Sequence, residues 1–396
     1  MHADKPAGRV VLTGRRAAEV EAGHLWVYAG HIQDVSGEPM PGDVVEVAAP
    51  SGRFCGLGLY NPHSKIRVRF VTFRKEPLDE SFWTGRLRSA LALRSRVVSD
   101  TTAYRIVHGE SDLLPGLIVD RYGDLLSIQT LSWGMDRRKT FLADLLLGQT
   151  GARAVYQRND AASRTLEGLS VETGFLRGDG TTTVEIREGP ARFLVDVAQG
   201  QKTGWFCDQR ENRLAAASLA SGAEVLEACC HTGAFGIHCA LRGATSVLGL
   251  DVSATAVASA QAHAALNGVE SSCHFHEGDA FQELRKLARQ GRRFDLVILD
   301  PPAFTKSRQA VASALAGYKE INRQALALVK AEGFLVTCSC SHHVSEDAFR
   351  RTVAAAAADA RRRLRLVEAR SQGRDHPVLA AMPETRYLKC LFVQVL

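Results

Sequence analysis

Two segments of the chain carry residue types that suit catalysis. The first, Asp300-Pro301-Pro302-Ala303-Phe304, directly follows the apolar run FDLVIL. Two prolines after a buried strand neither continue a β-ladder nor easily start a helix, so they stiffen the loop. Such a loop can hold a carboxylate and an aromatic ring against a flat substrate. The second segment, TCSCSHH over residues 337–343, offers two thiols and two imidazoles after another apolar run.

The second segment has two chemical interpretations. Its C-x-C-x-H-H spacing suits a metal, but no distant pair of ligands accompanies it, so we predict no metal site. A thiolate is needed to methylate cytosine at C5, because sulfur attack at C6 makes C5 nucleophilic. Side chains i and i+2 of a strand share a face, so spacing alone does not choose between Cys338 and Cys340. Cys340 lies further past the strand, whereas Cys338 belongs to the apolar run FLVTC.

Acidic residues or glycines follow each of four successive predicted strands. Glu227 ends the first and opens the loop ACCHTGAFG, and Asp251 follows the second, eighteen positions past Gly233. At that distance a carboxylate can accept both hydroxyls of a ribose. Asp279 and Asp300 follow the third and fourth strands. Because ligands of doubly wound sheets bind beyond the carboxyl ends of the strands, we expect these carboxylates to share one site.

Two nucleoside cofactors are compatible with such a row of carboxylates. A dinucleotide requires G-x-G-x-x-G to approach its pyrophosphate, whereas this loop has only Gly233 and Gly236, which could instead serve close strand–helix packing. S-adenosylmethionine carries no pyrophosphate, so we predict that it is the cofactor. The residues expected to bind it at these strand ends are Glu227, Cys229, Thr232, Gly233, Ala234, Phe235, Asp251, Val252, Asp279, Ala280, Asp300 and Pro301.

Regular alternation of apolar strands and helices from about Arg192 must position these residues. Short apolar runs separated by helices predict right-handed βαβ units and a parallel sheet buried on both faces. The final runs, LRLVEAR and RYLKCLFVQVL, have no helix between them and predict an antiparallel edge pair. The expected helices are Phe235–Arg242, Ser253–Asn267, Phe281–Gln290, one near Gly317–Lys330, and Ser345–Ala360.

Two different patterns precede this region, so we predict three domains: 1–75, 76–190 and 191–396. Residues 1–75 contain short strands punctuated by turns, which indicates a small β-barrel. Residues 76–190 begin with a helix from about Ser81 to Val98 and continue with strands and a second helix near Arg137–Leu147. This α+β module is expected to be closed by the strands AVYQRN and TTTVEIREG.

Composition and charge narrow the class of protein. The 396 residues are 45% hydrophobic and 23% charged, which excludes wholesale disorder and collagen. No apolar run suffices for a membrane span or an export signal, and nine scattered cysteines without a CxxC pair indicate reduced thiols, so we expect a cytoplasmic protein. The net charge of +6 is concentrated in residues 1–75 and 191–396, which suits a polyanionic partner.

Several segments together resemble one enzyme family. GQKTGWFCDQR (200–210), the loop TGAF, LDPPAF, SCS and DHPVLAAMPETRYLK are similar to the ribosomal large-subunit RNA cytosine-C5 methyltransferases of the RlmI/RlmO type. The resemblance covers the whole chain. It implies a PUA-like RNA-binding domain, a small central α+β domain and a class I methyltransferase domain, Rossmann-like, with a seven-stranded, mostly parallel sheet. It also implies S-adenosylmethionine as cofactor and 23S rRNA as partner, and it is compatible with a homodimer.

The same resemblance implies roles for individual residues. Cys340 matches the nucleophile and Asp300 the carboxylate that binds the base, while Asp251 would bind the ribose and Asp279 the adenine amino group. The stretch that closes over the cofactor is matched by Gln201, Lys202, Thr203, Asp208, Gln209 and Arg210. Two positions depart from relatives: His231 stands where they often have Tyr. Ala303 stands where another group of RNA cytosine methyltransferases has a second cysteine that releases the product.

Two other functions remain compatible with the sequence. The pattern Asp-Pro-Pro-x-aromatic is typical of methyltransferases acting on nucleobases or amides and also suits an exocyclic amine, a reaction that needs no thiol. Alternatively, the chain is a PUA-type RNA-binding protein whose methyltransferase domain is not catalytic. No motif marks the target cytosine.

Overall fold

The computed structural model describes residues 4–305 and 307–396. The chain divides into two compact units that are not contiguous in sequence. The first unit consists of Met1–Ile186, Leu194–Cys207 and Arg374–Thr385, and the second of Arg187–Phe193, Asp208–Gly373 and Arg386–Leu396. Domain limits at residues 75 and 190 stay predictions. Within the described ranges, none of the helices combines the length and apolar character that crossing a membrane requires.

The first unit begins with a sheet that, over the described residues, has six strands in the order β2-β6-β5-β4-β1-β3. Its elements are β1 (Gly8–Leu12), α1 (Gly14–Glu21), β2 (Trp26–Tyr28), β3 (Ile32–Gly37), β4 (Val44–Ala48), β5 (Phe54–Tyr60) and β6 (Ile66–Thr72). In β6, Val68 and Phe70 are fully buried, and their neighbours up to Thr72 are buried too, so this part of the strand is covered on both faces rather than on one. Arg69 is also buried, because its guanidinium donates to Glu167 across 2.7 Å.

A second sheet of the first unit has five strands among the described residues, in the order β11-β10-β9-β8-β7. Its elements are α2 (Glu80–Val97), β7 (Ala103–His108), β8 (Leu117–Tyr122), β9 (Leu125–Thr130), α3 (Trp133–Asp136), α4 (Lys139–Thr150), β10 (Ala154–Asn159) and β11 (Glu172–Arg177). Helix α2 starts as expected, because the Asp79 side chain accepts from the Phe82 N–H at 3.0 Å and caps it.

The prediction that TTTVEIREG closes this sheet is wrong. β11 occupies the edge beside β10, and TTTVEIREG forms β12 (Thr183–Glu188), which pairs with β13 (Ala191–Asp196) in a separate hairpin. A turn at Gly189, with φ +55°, brings the two strands together, so the local partner replaces the distant one. The chain passes from one unit to the other within this hairpin.

The second unit contains the α/β fold that the sequence predicts. Its elements are α5 (Arg210–Ala217), β14 (Glu224–Ala228), α6 (Ala234–Leu241), β15 (Ser246–Asp251), α7 (Ala254–Leu266), β16 (Cys273–Glu277), α8 (Ala280–Arg289), β17 (Phe294–Leu299), α9 (Val311–Leu326), β18 (Val329–Ser339), α10 (Glu346–Asp359), β19 (Leu364–Arg370) and β20 (Lys389–Val395). Across the described ranges seven strands form one sheet, in the order β16-β15-β14-β17-β18-β20-β19.

The pairing directions of this sheet confirm the expected fold. Strands β14 to β18 run parallel, and β20 pairs antiparallel with both β18 and β19. Helix α7 lies within one residue of its predicted bounds, since the Ser253 hydroxyl accepts from the Ala256 N–H at 3.2 Å and Gly268 has φ +66°. Helix α9 instead spans Val311–Leu326, because β18 already begins at Val329, which pairs with Phe294.

Candidate active site

The register of the parallel strands brings the predicted site residues to one edge of the sheet. Ala228 of β14 is paired with Leu250 of β15 and with Leu299 of β17, which is paired in turn with Thr337 of β18. The residues that follow these positions therefore leave neighbouring strands at the same level. They include Cys229, Asp251, Asp300 and the thiol segment.

The glycine loop after β14 packs tightly against the sheet. Gly233, with φ +75°, precedes α6, and a Cβ atom there would lie 2.6 Å from the Phe275 ring. A Cβ atom on Gly236 would lie 2.8 Å from Oε2 of Glu227. Both glycines therefore have the packing role considered above. Ala234 and Phe235 are buried with them, whereas Thr232 is partly exposed.

Asp251 is held by the backbone on both sides. Its Oδ2 accepts from the His231 N–H at 2.7 Å and its Oδ1 from the Ser253 N–H at 3.0 Å. An ionised carboxylate has further acceptor sites on each oxygen, and Asp251 is partly exposed. The oriented acceptors fit the two hydroxyl donors of a ribose. Val252, beside it, is 71% exposed.

Glu227 is a buried carboxyl at the end of β14. Burial raises the pKa of Glu227 to about 8, and the nearby charge of Asp300 acts in the same direction. Oε2 accepts from the Gly236 N–H at 2.8 Å, which opposes the rise. Glu227 is therefore largely protonated at neutral pH and gains its charge in the physiological range.

Four carboxyl groups act electrostatically on one thiol at this edge. Burial, followed by the charges of Asp251, Asp300, Asp279 and Glu227, raises the pKa of Cys229 to about 12. Cys229 therefore stays a neutral thiol, which argues against a nucleophilic role. At neutral pH Glu227 is largely protonated, and the remaining negative charge of Asp251, Asp279 and Asp300 fits a cofactor that carries a sulfonium and an ammonium group, as S-adenosylmethionine does.

The remaining strand-end residues differ in exposure. Asp279 is exposed, and its Oδ1 accepts from the Gln282 N–H at 3.0 Å as the cap of α8. Ala280 is partly exposed and Pro301 is buried. The capping bond uses Oδ1 of Asp279. The contact between Asp279 and the adenine amino group stays a prediction.

The stretch expected to close over the cofactor is divided between the two units. Asp208, Gln209 and Arg210 are buried in the second unit, where Oδ2 of Asp208 accepts from the Tyr387 hydroxyl at 2.6 Å. Gln201, Lys202 and Thr203 belong to the first unit. There the Thr203 hydroxyl lies 2.8 Å from the Tyr122 hydroxyl, and Gln201 and Lys202 are exposed. The cofactor role of all six residues stays a prediction.

The two cysteines at the end of β18 have different surroundings. Cys338 is fully buried and paired in register with Cys390 of β20. A hydrogen bond with Cys390, together with burial, raises the pKa of the Cys338 thiol well above its ordinary value. Cys340 is partly exposed and follows the last residue of β18. The surroundings favour Cys340 as the reactive thiol. In the described ranges, no group of His, Cys, Asp and Glu is placed to hold a metal ion.

Three residues near Cys340 were not found from the sequence: Lys389, Tyr318 and Tyr387. The Lys389 ammonium donates to the carbonyl oxygens of Ser341 at 2.7 Å and Tyr387 at 2.8 Å. The Tyr318 hydroxyl lies 2.9 Å from the Ser341 hydroxyl, and the Tyr387 ring stacks on His342 at 6.0 Å. The available signal was a lysine beside the apolar run CLFV, a position that ordinarily excludes an unpaired charge.

Family models match two parts of the chain. Residues 10–73 match a PUA-like domain, and residues 151–383 match an S-adenosylmethionine-dependent methyltransferase. A protein from Shewanella denitrificans named ribosomal RNA large subunit methyltransferase I is 40% identical over 98% of this chain and 99% of its own length. A protein of the same name from Alteromonas mediterranea is 38% identical, with the same coverage of both chains.

Solved structures share the fold at low sequence identity. A candidate methyltransferase complexed with SAH gives a TM-score of 0.85 at 18% identity, over 98% of this chain and 100% of that chain. A candidate SAM-dependent methyltransferase from Streptococcus mutans gives 0.83 at 18% identity, with the same coverage. The chain thus belongs to the S-adenosylmethionine-dependent methyltransferases, in the family of the ribosomal RNA large subunit methyltransferases I, with S-adenosylmethionine as its cofactor.

Proposed function

We propose that this chain forms 5-methylcytosine in the 23S RNA of the large ribosomal subunit through a covalent adduct between Cys340 and the base. The observation that carries the proposal is the pair of thiols at the end of β18. Cys340 is partly exposed and follows β18, which pairs with the strand β17 that ends directly before Asp300, whereas Cys338 is buried. The names of the relatives and the PUA-like match at residues 10–73 support a ribosomal RNA substrate.

The chemistry assigned to Cys340 overcomes the low nucleophilicity of cytosine C5. The thiolate Sγ forms a bond to C6, and the electron pair of the C5=C6 double bond moves to C5. S-adenosylmethionine, when bound, supplies the methyl group that C5 receives. A base, water included, then removes the proton from C5, so that the C5–H electron pair restores the C5=C6 bond. The S–C6 bond breaks with its electron pair, and the Cys340 thiolate is regenerated.

Asp300 is assigned to hold the base during this attack. A carboxylate can accept from the exocyclic amino group and share a proton with N3, which favours electron flow away from C6. Pro301 and Pro302 follow directly and restrict the loop that carries the carboxylate. Phe304 adds an aromatic ring that packs 4.5 Å, centre to centre, from Tyr318.

The cofactor residues complete the proposal. Asp251 is assigned to the ribose hydroxyls and Asp279 to the adenine amino group, with the glycine loop beside them. A homodimer and a cytoplasmic location stay predictions.

An RNA substrate that carries 5-fluorocytosine tests the covalent route. Fluorine at C5 does not leave as a proton does, so the wild type should form an adduct that survives denaturation. Cys338→Ala is the matched control and should keep the adduct and most of the turnover. Cys340→Ala should lose both while it still binds S-adenosylmethionine in calorimetry.

The alternatives predict different results in the same experiment. If Cys340→Ala still methylates RNA, the covalent route is wrong and methylation of an exocyclic amine replaces it, since the Asp300-Pro301-Pro302 loop also suits an amino nitrogen. If the wild type binds RNA without methylating it, the methyltransferase unit is not catalytic.

A further inference from the structure

Lys389 is a buried lysine next to the segment that carries Cys340. It is 4% exposed, and it lies opposite Ser339 in the antiparallel register of β18 and β20. Its ammonium donates to the carbonyl oxygen of Ser341, 2.7 Å away, and to that of Tyr387, 2.8 Å away. Lys389 therefore contacts the residue after Cys340 and is paired with the residue before it.

The charges around Lys389 come from three segments. Burial lowers the pKa of Lys389 to about 8, the Cys340 thiol and Glu346 raise it, and Arg386 lowers it. Glu346 begins α10 and forms an ion pair with Arg386, which lies in the same segment as Lys389. From α9, Tyr318 faces the same segment and bonds the Ser341 hydroxyl. The lysine is therefore mostly protonated at pH 7, and Cys340 is one of two acidic groups that act on it.

We propose that Lys389 is a positioning residue that holds the Cys340 segment through Ser341 and stabilises the thiolate of Cys340 by its positive charge. The inference rests on the proposed function, because it assigns a partner to the same nucleophile. Two carbonyl bonds fix the ammonium, so its charge remains beside the thiol without reorganisation. A buried cation near a thiol favours the thiolate, which is the attacking form.

Alkylation of Cys340 by iodoacetamide tests the charge without RNA or methyl transfer. The Cys340 peptide is followed by mass spectrometry between pH 6 and 10. Lys389→Met should slow alkylation at pH 7 about tenfold or more and move the pH midpoint upward, as expected when an opposite charge that acts on the thiol is removed. Lys389→Arg keeps the charge and should restore at least half of the rate. Calorimetry with S-adenosylmethionine confirms that each variant is folded.

The controls separate charge from packing. Lys330→Met removes a cation from the other end of β18, where Lys330 bonds Glu224 and Asp295, and should leave the Cys340 profile unchanged. Lys389→Gln keeps a donor for the carbonyl groups and replaces Lys389→Met if the latter does not fold. A wild-type profile in the neutral variants would overturn the inference, as would failure of Lys389→Arg to restore the rate. Formation of the 5-fluorocytosine adduct by the wild type is a separate readout. Its absence would contradict the proposed function without changing the result of the alkylation test for Lys389.

Discussion

The backbone N–H of His231 donates to Oδ2 of Asp251 across 2.7 Å. The bond joins the glycine loop after β14 to the end of the neighbouring strand β15 and requires His231 to adopt φ +48°. Because the donor is a backbone group, the bond does not depend on the side chain at position 231. A histidine at this position, where the resemblance implies a tyrosine, is therefore compatible with an unchanged loop.

Asp251→Ala should weaken binding of S-adenosylmethionine by about 2 to 4 kcal/mol, because it removes the charged acceptors assigned to the ribose and releases the loop. Isothermal titration calorimetry measures the change directly. Asp251→Asn is the matched control: its amide oxygen keeps one acceptor, so its loss should be smaller. Unchanged affinity in Asp251→Ala would reduce this residue to a loop anchor, and binding of NAD by the wild type would contradict the cofactor assignment.

Glu227 should make the protein less stable as pH rises from about 4.5 to about 8. Its folded-state pKa is raised, mainly by burial, so the native state retains a proton that the unfolded chain releases. Glu227→Gln removes this proton linkage. The free energy of unfolding in urea should therefore fall relative to the variant by up to about 1.4 kcal/mol per pH unit in this range. Parallel pH curves for the two proteins would contradict the assignment.

Glu188→Gln should destabilise the second unit by about 3 to 5 kcal/mol, because it leaves a buried arginine uncompensated. Arg213 donates to both oxygens of Glu188 at 2.6 Å, and Nε2 of His238 lies 3.0 Å away. Although burial opposes ionisation, these partners hold the pKa of Glu188 well below its ordinary value. The stabilisation is present above about pH 4.5 and is lost as pH falls toward the folded-state pKa.

Urea unfolding at pH 7 and at pH 3.5 checks both the size and the sign for Glu188. The difference between wild type and variant should be smaller at the lower pH. Glu320→Gln is the control, since its ion pair with Arg323 is exposed and should contribute less than about 1 kcal/mol. Equal effects of the two substitutions would show that the buried pair has no special weight.

Affinity for an rRNA fragment should fall steeply with salt if the first sheet contacts phosphates. Lys65→Ala, an exposed cation before β6, should weaken binding and reduce the logarithmic salt slope by about 0.9. Tyr28→Ala, which removes a 37% exposed ring from β2, should weaken binding without changing the slope. Filter binding at several salt concentrations measures both, and affinity for S-adenosylmethionine should be unchanged.

Arg177→Ala is the control for the RNA measurement. Arg177 lies in β11, outside the first sheet, and its guanidinium is already paired with Asp144 of α4. If all three variants bind the rRNA fragment as tightly as the wild type does, the first sheet has a structural role only. Deletion of residues 1–75 is a poor substitute for these variants. Leu57 and Leu59 belong to the same apolar core as Leu87 and Val119, so the deletion would expose that core.

The sequence was sufficient where local pattern determines structure. Asp251 and Asp300 share an edge because parallel strands of similar length end at one level, and α7 starts at Ser253 because a hydroxyl caps it. It was insufficient where distant segments compete. The periodicity of TTTVEIREG is compatible with joining β10 or with pairing to β13, and the structure has the second arrangement, with a turn at Gly189 between the two strands. The burial of Lys389 likewise depends on carbonyl groups that three-dimensional packing supplies.

The division of the chain into non-contiguous units also constrains its synthesis. Met382, in the segment Arg374–Thr385, is fully buried in the core of the first sheet together with Val27 and Phe70. A nascent chain that already contains every strand of that sheet therefore still lacks part of its core until the segment Arg374–Thr385 has been synthesised. Premature termination near residue 370 would remove Met382 and leave an apolar gap beside Val27 and Phe70 in the core of the first sheet.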